Sequence, residues 1–201
     1  MGEQTPLGLA VTAIVATCVV VLFAAIARNF LRAPGPGAVR EQKRSVVETG
    51  SMTAFFVGYF LLIRAGVGLV EVPWWSVRLG MIGVGLVLIV GGTGVNLLGR
   101  RHLGANWANQ VILYDRQTLV TDGVYGLVRH PLYASLIWMF FGGALVYANA
   151  AALAANVLVF VPFMTWRAWQ EEKLLAQAFP GHGAYRARVG LFFPRLLRGG
   201  C

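Results

Sequence analysis

The chain has 201 residues, 57% of them apolar and only 12% charged, with a mean hydropathy of +0.66. Soluble domains carry about a quarter charged residues, which speaks against disorder, a coiled coil or a soluble nucleic-acid-binding module. Its 17 Lys+Arg against 8 Asp+Glu leave a formal charge of +9, which suits either an anionic partner or the inner loops of a membrane protein.

Leu7 to Ala27 forms 21 residues without a charge, enough to cross a hydrocarbon core as a helix. Basic residues follow this run rather than precede it, so it is expected to be a retained helix and not a cleaved signal. Ala33-Pro34-Gly35-Pro36-Gly37 reads as a turn-rich loop. Ser51 to Val70 is a second span, interrupted by Arg64, and the glycine-dense Leu79 to Leu98 is a third. Leu132 to Trp166 has 35 uncharged residues, too long for one crossing, and predicts a hairpin of two helices turning near Tyr147-Ala148-Asn149. The expectation is an all-α integral membrane protein with five transmembrane helices. Two regions are expected: residues 1–98 with three helices (about 7–27, 51–70 and 79–98), and a functional region at 99–201. The latter combines the hairpin 132–166, a C-terminal helix and a cytoplasmic ligand-binding cap.

In a five-helix arrangement, 15 of the 17 basic residues fall on one side, leaving only Arg64 and Arg78. The positive-inside rule then puts the N-terminus outside and both polar segments in the cytoplasm. Trp74 and Trp75 suit the outer interface, Trp166 and Trp169 the inner one. Arg64 reads as a snorkelling residue in preference to a buried partner. The glycines of the third helix read as close-packing positions.

Chemistry concentrates in the two inner segments. Residues 100–131 hold Asn106, Gln110, Tyr114, Thr118, Asp122, Tyr125, Arg129 and His130; residues 167–195 hold Arg167, Glu171, Glu172, His182 and Tyr185. Thr121 to Tyr125 is a turn delivering an aromatic residue, and His130-Pro131 opens the hairpin with proline in its first turn. Backbone donors there can meet an anionic group, although Arg129 and His130 also fit the role of interfacial anchors. Arg167 and Glu171, four apart, share a helical face; they read either as an intrahelical ion pair or as two groups facing a ligand with both charges. No dinucleotide, phosphate-loop or zinc-protease motif occurs, and the histidines His102, His130 and His182 lack metal-ligand spacing. No metal is expected. The two cysteines, Cys18 and Cys201, make no disulfide framework.

The run Gln117 to Tyr125, followed by Arg129-His130-Pro131-Leu132-Tyr133, resembles the signature of the isoprenylcysteine carboxyl methyltransferase family and its phospholipid methyltransferase relatives. Arg167 with Glu171-Glu172, then Phe179, Tyr185, Val189 and Pro194, is similar to the family's second block, and Leu103 to Trp107 with Gln110 also fits. The likeness covers about residues 98–197. It implies a membrane methyltransferase that uses S-adenosyl-L-methionine without a dinucleotide-binding fold. Cofactor contacts map by resemblance onto Gln110, Gln117, Thr118, Leu119, Val120, Tyr125, His130, Pro131, Leu132, Tyr133 and Glu171, and the substrate-orienting arginine onto Arg167. The family's paired tyrosines meet one departure, His182 in the first position.

The chemistry of the cofactor agrees. Glu171 can meet its ammonium, His130 and backbone donors its carboxylate, and Tyr125 or Tyr133 its aromatic and cationic parts. A carboxylate acceptor is already ionised and needs only orientation, by Arg167. The expected partners are a lipophilic or lipidated substrate and membrane lipids, with no nucleic acid. A phospholipid amine, a thiol or another small hydrophobic acceptor remains open on the same scaffold, as does a non-enzymatic transporter or assembly subunit.

Overall fold

The computed structural model describes residues 5–31, 39–43, 46–106, 111–114 and 118–195. Gln110, Gln117 and the Ala33–Gly37 segment lie outside the described residues.

The first helix, α1 (Pro6–Phe30), starts where Thr5 accepts the Gly8 N–H at 3.1 Å and Pro6 fills the first turn, a position where the missing N–H costs nothing. Its Val11, Cys18, Leu22 and Ala25 are buried while Leu9, Val20 and Phe23 are exposed, so one stripe packs and the remaining apolar surface faces outward. A short strand, β1 (Val39–Lys43), precedes α2 (Val46–Arg64).

The second helix ends at Arg64 rather than continuing to Val70. Gly66 adopts φ +67°, the Gly66 N–H bonds the Ile63 carbonyl and the Val67 N–H bonds the Leu62 carbonyl. These two bonds make a Schellman stop. Arg64 thus occupies the last turn, exposed, as a snorkelling side chain requires.

The third helix, α3 (Trp75–Leu103), and α4 (Pro131–Val146) form the tightest crossing. A Cβ on Gly85 would sit 2.6 Å from the Gly142 carbonyl oxygen, and one on Gly142 would sit 2.5 Å from the Gly85 oxygen. Gly92 meets Ser135 and Met139 in the same way, so the glycines on this face of α3 are the contact that lets two backbones approach. Within the interface Asn96 donates to Ser135 Oγ at 2.8 Å, and Arg100 Nε donates to Asn96 Oδ1 at 2.8 Å.

The hairpin turns at Tyr147–Asn149, as expected. Ala148 takes φ +47°, and Asn149 Oδ1 caps the next helix by accepting the Ala152 N–H at 2.7 Å. Arg78 donates to the Val146 carbonyl at 2.6 Å and so closes the end of α4 from the neighbouring helix. The return arm comprises α5 (Ala150–Ala155), a π-helical turn at Asn156–Phe160 and α6 (Val161–Ala178), continuous over 29 residues. Pro162 lies just after the wide turn; with no N–H and a bulky ring it could not continue the preceding ladder unchanged. A final helix, α7 (His182–Arg188), follows.

Among the described residues, three helices are long and apolar enough to cross a membrane: Pro6–Asn29, Trp75–Leu103 and Ala150–Ala178. The other two apolar helices, Gly50–Arg64 and Pro131–Val146, are shorter. Among the described residues, the helical expectation holds apart from one two-stranded antiparallel ribbon, in which β1 pairs with β2 (Val111–Tyr114) and joins the α1–α2 and α3–α4 connections. The largest core cluster fills the space between α2, α4 and α6, with Phe55 stacked 4.6 Å from Phe160 and edge-on to Phe140 at 5.0 Å.

Candidate active site

The site forms where α4 begins and α6 passes its last apolar turn. A one-turn 3₁₀ segment, Gly123–Gly126, leads into it; Gly123 has φ +56° and lies so close to the His102 ring that a side chain has no room there. Upstream, Thr118 is held by Asn106, whose Nδ2 donates to Thr118 Oγ1 at 3.2 Å. Leu119 and Val120 connect Thr118 to the turn.

His130 caps the start of α4 and Pro131 takes the first helical position. The His130 ring is buried, at 6% exposure, and stacks on the Tyr133 ring one turn later, 5.6 Å between centroids and 4° between planes. Each of its nitrogens faces a carboxylate: Nδ1 lies 3.2 Å from Glu171 Oε2 and Nε2 lies 3.4 Å from Glu172 Oε1. Burial disfavours the imidazolium, but the hydrogen bonds and charges of Glu171 and Glu172 outweigh it and hold the His130 pKa above its ordinary value.

The two adjacent glutamates are not equivalent. The Glu172 side chain is 6% exposed and accepts from Arg129 Nε at 2.6 Å, with Arg186 Nε at 3.5 Å. The Glu171 side chain is 29% exposed and accepts from the Tyr133 hydroxyl. Beyond Tyr133 comes Arg167, itself buried, with its guanidinium carbon 5.6 Å from the Tyr133 ring centroid and a guanidinium nitrogen 3.1 Å from Met52 Sδ. Tyr133 therefore touches both residues: its hydroxyl donates to Glu171, while Arg167 lies over its ring, within hydrogen-bonding reach of the same hydroxyl and close enough for its charge to act on Glu171.

The C-terminal segment is fastened underneath. The Arg129 N–H bonds the Gly190 carbonyl at 2.8 Å and the His130 N–H bonds the Leu191 carbonyl at 3.2 Å. The Arg129 guanidinium also donates to the Arg186 and Val189 carbonyls. The Tyr185 hydroxyl donates to the Tyr125 carbonyl at 2.7 Å, and burial raises its pKa to about 12, so it remains a donor at any physiological pH. Burial likewise holds the Tyr125 phenol protonated, reinforced by the Glu171 charge. His182 is 2% exposed and meets Tyr185 edge-on at 6.4 Å. Burial keeps it below the ordinary histidine range, as do Arg129 and Arg186, against the opposing pull of Glu172. It is a packed neutral ring.

Of the residues singled out from sequence, His130, Tyr133, Arg167 and Glu171 converge at the α4–α6 mouth, with Tyr125 on the adjoining turn, whereas Pro131 and Leu132 pack their side chains against Gly99 of α3. Thr118, Leu119 and Val120 lie on the stretch held by Asn106. Glu172 and Met52 carried no assigned role in the sequence reading. Glu172 had no distinguishing signal beside Glu171, and Met52 had none at all. Arg129, a candidate for touching a ligand, is spent instead on Glu172 and two backbone carbonyls.

This constellation sits inside a region that matches a known family over residues 81–181, half of the chain, described as phospholipid methyltransferase. The chain belongs to the phospholipid methyltransferase family. It is 35% identical over 112 residues to the cobalt-zinc-cadmium resistance protein CzcN of Cupriavidus metallidurans, covering 55% of this chain and 50% of that one. It is 31% identical over 98 residues to a probable protein-S-isoprenylcysteine O-methyltransferase of Oryza sativa, covering 48% and 51%. The chain spans about half the length of these relatives. Its fold is similar to the solved eukaryotic intramembrane Ras methyltransferase ICMT, with a TM-score of 0.54 and 21% identity, covering 76% of this chain and 53% of the other. Together with the three long apolar helices, these likenesses make this family member an integral membrane protein. Among the described residues, no group of three or more His, Cys, Asp or Glu side chains is placed to hold a metal ion.

Proposed function

We propose that the protein is an S-adenosyl-L-methionine-dependent membrane methyltransferase acting on the carboxylate of a lipophilic, isoprenylcysteine-like acceptor. The observation carrying this reading is that Tyr133 gathers two opposite charges at one mouth: a partly exposed carboxylate, Glu171, and a buried guanidinium, Arg167. An ammonium-bearing cofactor fits Glu171, which His130 and Tyr133 hold in place, and the ring of Tyr125 suits its base or cationic sulfur. When bound, the cofactor supplies an electrophilic methyl group on a sulfonium centre. Gln110, Gln117, Thr118, Leu119, Val120, Pro131 and Leu132 complete the cofactor side in this reading.

The residues of this chain then do three things. Glu171 fixes the ammonium end, with its own oxygens oriented by the His130 Nδ1–H and the Tyr133 hydroxyl. Arg167 receives the acceptor's carboxylate by charge-assisted hydrogen bonds, so no general base is required. The aromatic layer of Phe55, Phe140 and Phe160 and the docked segment 189–192 exclude water from the space between them. His130 was expected to meet the cofactor's carboxylate; with both ring nitrogens facing glutamates, orienting Glu171 is the role its geometry supports.

A phospholipid amine is the second reading, favoured by the description of the matching family. The Arg167 cation weighs against it, because a guanidinium orients an anion and repels an ammonium. In the proposed topology, α2 and α4 complete five crossings, the N-terminus lies outside, and the site and C-terminus lie in the cytoplasm. The gathering of Arg100, Arg129 and Arg167 at one end of the bundle supports it, with Trp74 and Trp75 at the other.

Thermal unfolding of the detergent-solubilised protein with S-adenosylhomocysteine tests the cofactor assignment. Stabilisation is expected for wild type and Arg167→Ala and lost in Glu171→Ala; no stabilisation of wild type overturns it. Labelled methyl transfer to prenylated cysteine carboxylates, against phosphatidylethanolamine, tests the acceptor. Transfer to the amine alone overturns the carboxylate reading.

A further inference from the structure

The acceptor side of the site has a wall that the sequence left unassigned. The Arg167 guanidinium donates to Met52 Sδ at 3.1 Å across the interface between α6 and α2. A thioether is a weak acceptor, and a carboxylate offers the same guanidinium a charge-assisted, two-pronged partner. Met52 is also the most adaptable residue that could stand there, unbranched with three rotatable bonds. Three, four and seven residues further along α2 lie Phe55, Phe56 and Tyr59, which are locked against Phe140; Phe55 also stacks on Phe160. Met52 therefore meets Arg167 from α2, one turn before this aromatic layer begins.

We infer that Met52 is a specificity-determining residue for the methyl acceptor. Its side chain holds the place beside Arg167 that the acceptor's anionic group takes, and its volume limits the bulk tolerated next to that group. This rests on the proposed methyl transfer to a lipophilic carboxylate. It adds that discrimination among such acceptors resides on α2, outside the region that matches the family, residues 81–181.

The test uses the full-length protein in lipid nanodiscs and two S-farnesyl cysteine carboxylates, one N-acetylated and one N-benzoylated, so that bulk differs only beside the carboxylate. Met52→Ala is expected to improve KM for the bulky acceptor relative to the small one by about tenfold, the scale of a change of a few methylenes in an apolar pocket. Met52→Leu, of similar volume, is expected to keep the wild-type ranking. S-adenosylhomocysteine affinity should stay within about twofold in both, which separates an acceptor-side effect from a general loosening of the fold. An unchanged ranking in Met52→Ala, or an equal loss for both acceptors, overturns the inference; should that variant fail to fold, Met52→Val carries the same expectation in the same direction. Absence of methyl transfer and of S-adenosylhomocysteine binding in the wild type overturns the parent reading instead.

Discussion

Arg129 and Glu172 form a buried ion pair, Nε to Oε1 at 2.6 Å, with side chains only 8% and 6% exposed. The pair ties the residue before the α4 cap to α6, while the same guanidinium holds the carbonyls of Arg186 and Val189. One cation thus fastens three segments that meet under His130.

Removing one partner leaves the other charged and buried, which is the costly case for an ion pair. Arg129→Ala and Glu172→Ala should each destabilise the protein by about 3–5 kcal/mol, and the double variant by much less than the sum. Denaturant unfolding in a fixed detergent checks this; additive losses would show that the two residues act separately.

Tyr133→Phe keeps the ring beneath Arg167 and against His130 but removes the hydroxyl that Glu171 accepts. Losing a hydrogen bond to a charged group costs about 1.5–3 kcal/mol. Calorimetry should therefore record S-adenosylhomocysteine binding at least about tenfold weaker. Affinity equal to wild type would remove Tyr133 from the support of Glu171.

The His130 pKa is raised in the folded protein because its two glutamate partners outweigh burial. Its contribution to stability is therefore full below the unfolded value of about 6.5 and is lost as pH rises through the folded pKa. Thermal unfolding of wild type should fall with rising alkalinity above about pH 6.5, and His130→Asn should flatten that decline. A wild-type profile that rises over the same range would contradict the protonated, two-carboxylate geometry.

Gly85→Ala places a methyl 2.6 Å from the Gly142 carbonyl oxygen and 2.7 Å from Val146 Cγ2, so the α3–α4 crossing must open. A cost of about 1–3 kcal/mol is expected. Gly91→Ala, where a new Cβ meets nothing within 4 Å, should be neutral or gain up to about 1 kcal/mol of helix propensity. Comparable unfolding of the two variants would mean that the crossing is looser than the geometry requires.

Much of the architecture was legible in the chain. The uncharged stretch Leu132–Trp166 was too long for one crossing, and Tyr147-Ala148-Asn149 offered a polar break near its middle, where the turn indeed falls. The end of α2 was harder. Apolar residues run on past Arg64, and hydropathy cannot register that Gly66 and Gly68 turn left-handed, with Gly68 pressed against Ala151 of the returning hairpin. The β1–β2 ribbon was missed for a related reason, since its strands pair across segments far apart in sequence.

The site shows the same division. Arg167 and Glu171 were assigned to one helical face from their spacing of four, and both reach Tyr133. Spacing alone left open whether they pair with each other or face a ligand, and Tyr133, which touches both, comes from α4.

Helix periodicity, charge placement and short motifs are local properties. They were enough to mark the long apolar helices, the hairpin turn and several of the residues that meet where α4 and α6 approach. The distinct fates of neighbours were set by contacts between helices: Glu171 is left partly exposed while Glu172 is bound by Arg129, and Met52 meets Arg167 across 115 positions of sequence. Those contacts depend on the depth and rotation of packed helices, which the close approach of Gly85 to Gly142 and the docking of residues 189–192 fix, and no window along a single helix contains them.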